Sequence, residues 1–225
     1  FKYHRPRGIF SAGSEEPNAL VELRSGARQE PNTKATVTEL YDGLVAKSQN
    51  HWPSLHYDFL AINDRISNFL VAGFYYKTFM WPANFWEKYE FFIRHSAGLG
   101  KSPTKPDPDI YDHKYCHCDV LVVGGGISGI MAAKLSAENN NETLLLDDKN
   151  ILGGTTIYQN NDCFKIDGIH TNYWLENEIK KIKNIKNLTI KTRTSLAAYH
   201  GYNYLLAKEN LTDHLSPNER KNKIR

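Results

Sequence analysis

Apolar and polar positions alternate over Ala19-Leu20-Val21-Glu22-Leu23, and the pattern stops at Ser25-Gly26, which predicts a strand and its turn. Residues 34–47 read as a strand followed by a short helix. Residues 56–72 and 84–97 read as helices. In the second, Phe85, Tyr89 and Phe92 recur at helical spacing beside Trp86 and Ile93. Between these helices, residues 73–82 are dense in aromatic side chains. Such a stretch is most simply core, and the sharper alternative is a contact surface for a subunit or a flavin. Residues 98–115 hold Gly98, Gly100, Pro103, Pro106, Pro108 and several charges, a linker composition after which a new domain is expected.

Beyond the linker the apolar positions become continuous. Asp119-Val120-Leu121-Val122-Val123 suits a strand buried on both faces and runs into Gly124-Gly125-Gly126-Ile127-Ser128-Gly129. Residues 130–138 have helical composition, and Glu142-Thr143-Leu144-Leu145-Leu146 reads as a second buried strand that ends at Asp147. The order is strand, G-x-G-x-x-G, helix, strand, acid. Gly124 permits the tight turn, Gly126 lets the backbone approach a pyrophosphate, and Gly129 lets the helix pack closely on the strand. The helix start offers free N–H groups and the positive end of its dipole to phosphates. Asp147 lies 18 residues beyond Gly129, near the position for a carboxylate that accepts hydrogen bonds from a ribose diol. An acid there repels a 2′-phosphate, so NAD or FAD is favoured over NADP. Leu152-Gly153-Gly154-Thr155 allows a second close backbone approach. The candidate dinucleotide contacts are therefore Gly124, Gly126, Ser128, Gly129, Asp147, Asp148, Gly153 and Gly154. The rival reading is an ordinary βαβ unit with a glycine-rich turn and no ligand. Residues 171–184 then suggest a helix, and strands are expected at 188–193, 196–199 and 204–207.

Composition narrows the function classes. Hydrophobic residues make up 40% of the 225 residues and charged residues 24%, which allows a buried core and argues against a disordered tail. The net charge is +3, and residues 1–115 carry 14 basic against 13 acidic side chains, residues 116–225 14 against 12. Neither half has the concentrated positive field of a nucleic-acid binder. No apolar run approaches a membrane span. Three cysteines, Cys116, Cys118 and Cys163, are too few for a disulfide framework, so a cytoplasmic setting is the easier reading. The chain opens on Phe1 and stops at Arg225 without a closing element, which reads as a fragment of something longer.

Other constellations point to bland roles. His113, Cys116, His117 and Cys118 cluster, yet Cys116-x-Cys118 is not C-x-x-C and no second pair exists, so no metal is expected. Cys163 is most simply a small buried hydrophobe. Glu15-Glu16 suits a solvated turn, and Lys2, His4, Arg5 and Arg7 suit an exposed basic edge. No nucleophile motif appears and no catalytic residue is named.

F-K-Y-H-R-P-R-G-I-F at 1–10, E-E-P-N-A-L at 15–20, L-Y-D-G-L-V-A-K-S-Q-N at 40–50, W-P-S-L at 52–55 and A-G-F-Y-Y-K-T-F-M-W-P at 72–82 carry a resemblance. So does H-C-D-V-L-V-V-G-G-G at 117–126, continuing through L-G-G at 152–154. With these the chain resembles the α subunit of heterotetrameric sarcosine oxidase over nearly its whole length. The resemblance implies an α/β chain. A truncated ferredoxin-like β-grasp domain with a helical segment would occupy residues 1–98, and a linker 99–117. The first half of a Rossmann-type, two-dinucleotide-binding domain would occupy 118–225. It implies that Gly124, Gly126, Gly129 and Asp147 match the family's NAD site, with FAD the alternative at the same turn. It implies β, γ and δ partner subunits, with FAD and FMN held through β and FMN at the αβ interface. The complex would demethylate sarcosine to glycine with hydrogen peroxide formation. The one-carbon unit would pass to tetrahydrofolate in a C-terminal domain beyond this chain.

Related dehydrogenases carry cluster cysteines in the first domain. Here none precedes Cys116, and a [2Fe–2S] cluster wants four, so no cluster is expected in this segment. Two rivals stand beside the oxidase: a subunit of a related FAD-linked amine, proline or opine dehydrogenase, and a non-enzymatic scaffold in which the dinucleotide is structural.

Overall fold

A computed structural model of the chain describes residues 20–35, 38–49, 51–62, 65, 81–96, 98–101, 103–158, 164–220 and 223–225. It divides into two compact units, Phe1–Ile110 with His214–Lys223, and Tyr111–Asp213 with Ile224–Arg225. The basic and acidic residues expected near the start, most of the aromatic stretch 73–82 and Cys163 lie outside the described residues.

In the first unit, β1 (Leu20–Leu23) is the central strand of an antiparallel sheet, flanked by β2 (Glu30–Lys34) and β3 (Ala46–Ser48). The alternation in β1 has its physical counterpart in Leu23, which is buried while the preceding strand positions are half-exposed. A bulge between Val21 and Leu23 interrupts the pairing with β2. The expected short helix before residue 47 is corrected: the chain turns at Asp42-Gly43 and enters β3. Gly43 takes φ +78°, and Leu40 and Val45 are exposed, so that stretch has no apolar stripe to bury.

Within residues 56–62 there is one 3-10 turn, Phe59–Ala61, capped by the Asp58 carboxylate; most of the helix expected over 56–72 lies outside the described residues. The helix α1 (Trp86–Ser96) forms where the aromatic spacing places it. Its Phe85 end, Trp86, Phe91 and Phe92 are exposed, so its aromatics are not a buried stripe. The segment beyond α1 is tied back to the sheet. The Gln49 amide donates to the carbonyl of Gly98 at 2.9 Å, the Gly100 N–H donates to the Asn32 side chain at 2.9 Å, and Arg28 pairs with Asp109 at 2.8 Å.

The second unit is built on a parallel sheet of β4 (Val120–Val123), β5 (Thr143–Leu146) and β8 (Leu188–Lys191), in that order. Helix α2 (Ile127–Glu138) connects β4 to β5. Between β5 and β8 run a small hairpin of β6 (Lys165–Ile166) and β7 (Ile169–His170), then α3 (Thr171–Ile182). Ile130, Ala133 and Ala137 of α2 pack with Leu145, Leu152, Leu188 and with Trp174, Leu175 and Ile182 of α3 into one apolar core. A second hairpin, β9 (Thr194–His200) and β10 (Tyr204–Glu209), follows β8, and α4 (Pro217–Arg220) belongs to the first unit. No helix among the described residues is long and apolar enough to cross a membrane.

One ion pair ties the two helices of this core. Glu178 of α3 is 5% exposed and accepts from Lys134 of α2 at 2.7 Å and from Lys181 at 2.6 Å. These two hydrogen bonds hold the Glu178 carboxyl below the usual carboxylate range, and the bond to Glu178 holds Lys134 above the usual ammonium range. A depressed acid stabilises the fold above its unfolded pKa, and that contribution is lost as pH falls through the folded pKa. A raised lysine contributes below its unfolded pKa and loses it only as pH rises past the folded one. Lys134→Met is therefore expected to cost about 2 kcal/mol near neutrality, because Glu178 keeps only Lys181. Urea denaturation should show that deficit shrinking once the pH drops below the ordinary carboxylate range. A deficit that is independent of pH sinks this account.

Candidate functional site

The β4–α2 turn is where the elements of the second unit converge. Gly124 leaves β4 with φ +104°, a region that side chains rarely adopt, while its N–H donates to Leu146 of β5 at 2.7 Å. Gly126 then caps α2 in extended conformation, and its carbonyl accepts from Ile130 at 2.9 Å. The N–H groups of the first turn of α2 have no helical partner and face the space ahead of the helix. A Cβ at Gly129 would overlap the Gly124 carbonyl oxygen, so this glycine lets the helix lie against the strand. A Cβ at Gly126 would meet no protein atom within 4 Å. The two glycines therefore differ: Gly129 is required by the fold, and Gly126 leaves room for something else.

The second glycine pair folds against the first. The Gly153 N–H donates to the Gly125 carbonyl at 2.7 Å, and a Cβ on Gly154 would stand 3.1 Å from the Gly126 Cα. The result is an open cavity of about 430 Å³ lined by Val123, Gly124, Gly126, Ile127, Ser128, Gly129, Gly153, Thr155 and Thr156.

Asp147 sits beneath this turn rather than in its lining. The residue is 6% exposed, and its carboxylate accepts from the backbone N–H of Gly125 and, at 2.7 Å, from that of Lys149. A carboxylate has about four acceptor positions, so capacity for a diol remains. Asp148 next to it is exposed and lies 3.8 Å from Lys149.

Of the sequence candidates, Gly124, Gly126, Ser128, Gly129 and Gly153 line one cavity, Gly154 and Asp147 brace it, and Asp148 is exposed and outside its lining. Sequence reasoning missed Gly125, whose Cβ would strike Leu152 and the Asp147 carboxylate, and the lining residues Thr155 and Thr156. The unbroken Gly124-Gly125-Gly126 run and the Thr pair after Gly154 were the available signals.

Cys116 and Cys118 are exposed free thiols. Partial desolvation first, then Asp119 and Cys116, push the Cys118 thiol up. Among the described residues no group of three or more His, Cys, Asp or Glu could hold a metal ion.

Comparison with known proteins agrees with this geometry. Residues 119–190 match the family model described as FAD dependent oxidoreductase, which supports a flavin at this unit. Residues 1–51 match the model described as 2Fe-2S iron-sulfur cluster binding domain. Sarcosine oxidase subunit alpha of Rhizobium meliloti (strain 1021) is 45% identical over 216 residues, which is 96% of this chain and 22% of that subunit. The chain is homologous to sarcosine oxidase alpha subunits.

The subunit alpha of Corynebacterium sp. (strain U-96) is 30% identical over 94% of this chain and 17% of its own length. The chain thus spans about a fifth of the length of the sarcosine oxidase subunits it matches. L-proline dehydrogenase from P. horikoshii aligns over 49% of this chain and 24% of that one, at 22% identity and a TM-score of 0.33. The donor set of this chain does not fit an iron–sulfur cluster in the first region: residues 1–51 contain no cysteine, and the three of the whole chain fall short of four ligands.

The distinct roles of the two glycines can be measured. Gly129→Ala is expected to cost at least ~3 kcal/mol, since backbone must move. Gly126→Ala should stay within ~1 kcal/mol, the range of an N-cap change. Thermal denaturation of the two variants checks this, and equal losses would refute the division of labour.

Proposed function

We propose that this chain is the dinucleotide-binding portion of the α subunit of a sarcosine oxidase. In this reading residues 1–98 form a cluster-less ferredoxin-like domain, 99–117 a linker and 118–225 the opening of a Rossmann-type domain. The observation that carries it is the 45% identity to a sarcosine oxidase alpha subunit over 96% of the chain. The strand order β4-β5-β8 is that of the first three strands of a doubly wound nucleotide domain.

The residues fit the adenine dinucleotide at its phosphates. Gly126 leaves the close approach open, and the start of α2 supplies N–H groups and a favourable dipole. Asp147 braces the turn and has acceptor capacity for the ribose diol. NAD is the first reading of the ligand. FAD at the same turn is the second, and the match of residues 119–190 to the FAD dependent oxidoreductase model favours it. A dinucleotide of either kind, when bound, supplies two-electron redox chemistry, and this chain's own part is to bind it, orient its phosphates and fix its ribose.

The wider activity follows the homology. A complex with β, γ and δ subunits would oxidise the C–N bond of sarcosine, give glycine and hydrogen peroxide, and pass the one-carbon unit to tetrahydrofolate. FAD and FMN would be held through β. These roles are those of an oxidoreductase acting on CH–NH groups.

The test is made on the intact protein with its partners. Acid release followed by mass spectrometry is expected to yield NAD or FAD in stoichiometric amount, and Gly126→Ala to lower that content at least tenfold. Sarcosine-dependent oxygen uptake with peroxide should accompany the wild type. A purified complex that holds no dinucleotide removes the site, and quinone or dye reduction without peroxide moves the reading to an amine dehydrogenase. Turnover that persists in Gly126→Ala while assembly weakens assigns the nucleotide a scaffold role.

A further inference from the structure

The loop that follows β3 carries side chains that the nucleotide site does not use. Residues 51–62 read His-Trp-Pro-Ser-Leu-His-Tyr-Asp-Phe-Leu-Ala-Ile. Trp52, Leu55, Tyr57 and Phe59 are all exposed, Leu55 to 71% and Tyr57 to 70%. Ile62 just beyond them is exposed as well. Single exposed apolar residues are ordinary, whereas four large ones within one short loop are a patch.

The backbone under this patch is firmly built. The Asp58 carboxylate accepts from the N–H of Trp52 and from that of Leu60, each at 3.0 Å. The Phe59 N–H donates to the Trp52 carbonyl at 2.8 Å, and the Tyr57 N–H donates to the Ser54 hydroxyl at 3.2 Å. The rings of Trp52 and Phe59 lie 5.9 Å apart, centre to centre. The loop thus spends these polar groups on its own backbone and leaves its large apolar side chains to solvent. A segment held in this way loses little freedom when something covers it.

The chemistry of the cover follows from the side chains. Histidines apart, Asp58 is the one acidic or basic residue of 51–62, and its carboxylate is occupied within the loop. The loop offers no lysine or arginine to a nucleic-acid phosphate or an anionic lipid surface. Tryptophan and tyrosine on a rigid loop are instead the side chains that anchor protein–protein interfaces. We infer that the loop from Trp52 to Phe59 is a docking element that enters an uncharged, apolar pocket on another subunit of the same complex. This rests on the reading of the chain as part of an oxidase α subunit, whose relatives are each named as a subunit.

The experiment uses the full-length subunit co-expressed with its partner subunits. Leu55→Glu puts a charge where the pocket would exclude water, and it is expected to weaken assembly at least about tenfold. Leu55→Lys should weaken it as much, because an uncharged pocket rejects either sign. Leu55→Met should assemble within about threefold of the wild type. Tyr57→benzoylphenylalanine, irradiated in the assembled complex, should cross-link to another subunit, as read by mass spectrometry of the digested product.

Unaltered assembly and sarcosine-dependent oxygen uptake in Leu55→Glu and Leu55→Lys overturn the docking element and leave the oxidase reading intact. Weakening by one sign of charge alone means a charged pocket and overturns the stated chemistry. A cross-link within the same chain, or to a second copy of it, names a different occupant and overturns the proposal. Binding of the subunit to phosphatidylcholine vesicles that is lost in Leu55→Glu, with assembly unaltered, assigns the loop to a lipid surface and overturns it too. A complex that holds neither NAD nor FAD yet cross-links through position 57 to another subunit removes the nucleotide reading and leaves the docking element standing. A subunit that copurifies with no other subunit overturns the oxidase reading and the docking element together.

Discussion

The second unit depends on one buried carboxylate. Asp147 closes β5, and all its polar atoms are engaged. Its N–H donates to Lys191 of β8 at 3.0 Å, its carbonyl accepts from Thr194 of β9 at 2.8 Å, and its side chain accepts from Gly125 and Lys149. Four segments thereby meet at one residue. A carboxylate buried in this way is tolerated only because each oxygen is paired, and its loss would leave backbone N–H groups orphaned in the glycine turn. The acid that sequence logic reserves for a ribose is thus also the brace of the turn that receives the phosphates.

Around that brace the glycines separate into two kinds. Gly124, Gly125 and Gly129 are demanded by protein atoms, through a positive φ at the first and through backbone or side-chain overlap at the others. Gly126 is demanded by no protein atom, although it lies between them. A side chain excluded from empty space is the mark of a ligand's volume, and Gly126 lines the open cavity over the turn.

Much of this was legible in the chain. The continuous apolar runs of β4 and β5, the G-x-G-x-x-G between them and Asp147 after them fix the βαβ unit, because spacing and backbone requirements coincide there. The hairpin of β9 and β10 was legible in its alternation and its Gly201-Tyr202-Asn203 turn. Other features were hidden. The stretch before residue 47 has a local composition compatible with helix, and its pairing with β1 through Leu23 and Ala46 is a long-range event that no local pattern announces. The bond that Asp147 accepts from the Gly125 N–H was hidden for the same reason, since partners 22 residues apart follow from the fold and not from the spacing.

The same construction decides how ligand and fold would report on each other. The second glycine segment reaches the first through the Gly153 N–H, the approach of Gly154 to Gly126 and the closeness of Leu152 to the Gly125 side of the turn. Leu152 also belongs to the apolar core with Trp174 and Leu175 of α3, and Ile157 packs against that core. A dinucleotide seated between the two glycine segments would hold them together, and its binding energy would add to the stability of the whole core by mass action. A substitution that weakens the ligand would then lower the melting temperature of the loaded protein without touching that of the empty one. A substitution in the core would lower both. The scaffold and redox readings of this nucleotide are separated by turnover, whereas its presence is separated from its absence by stability, and the Gly126 position is where the second distinction is cleanest.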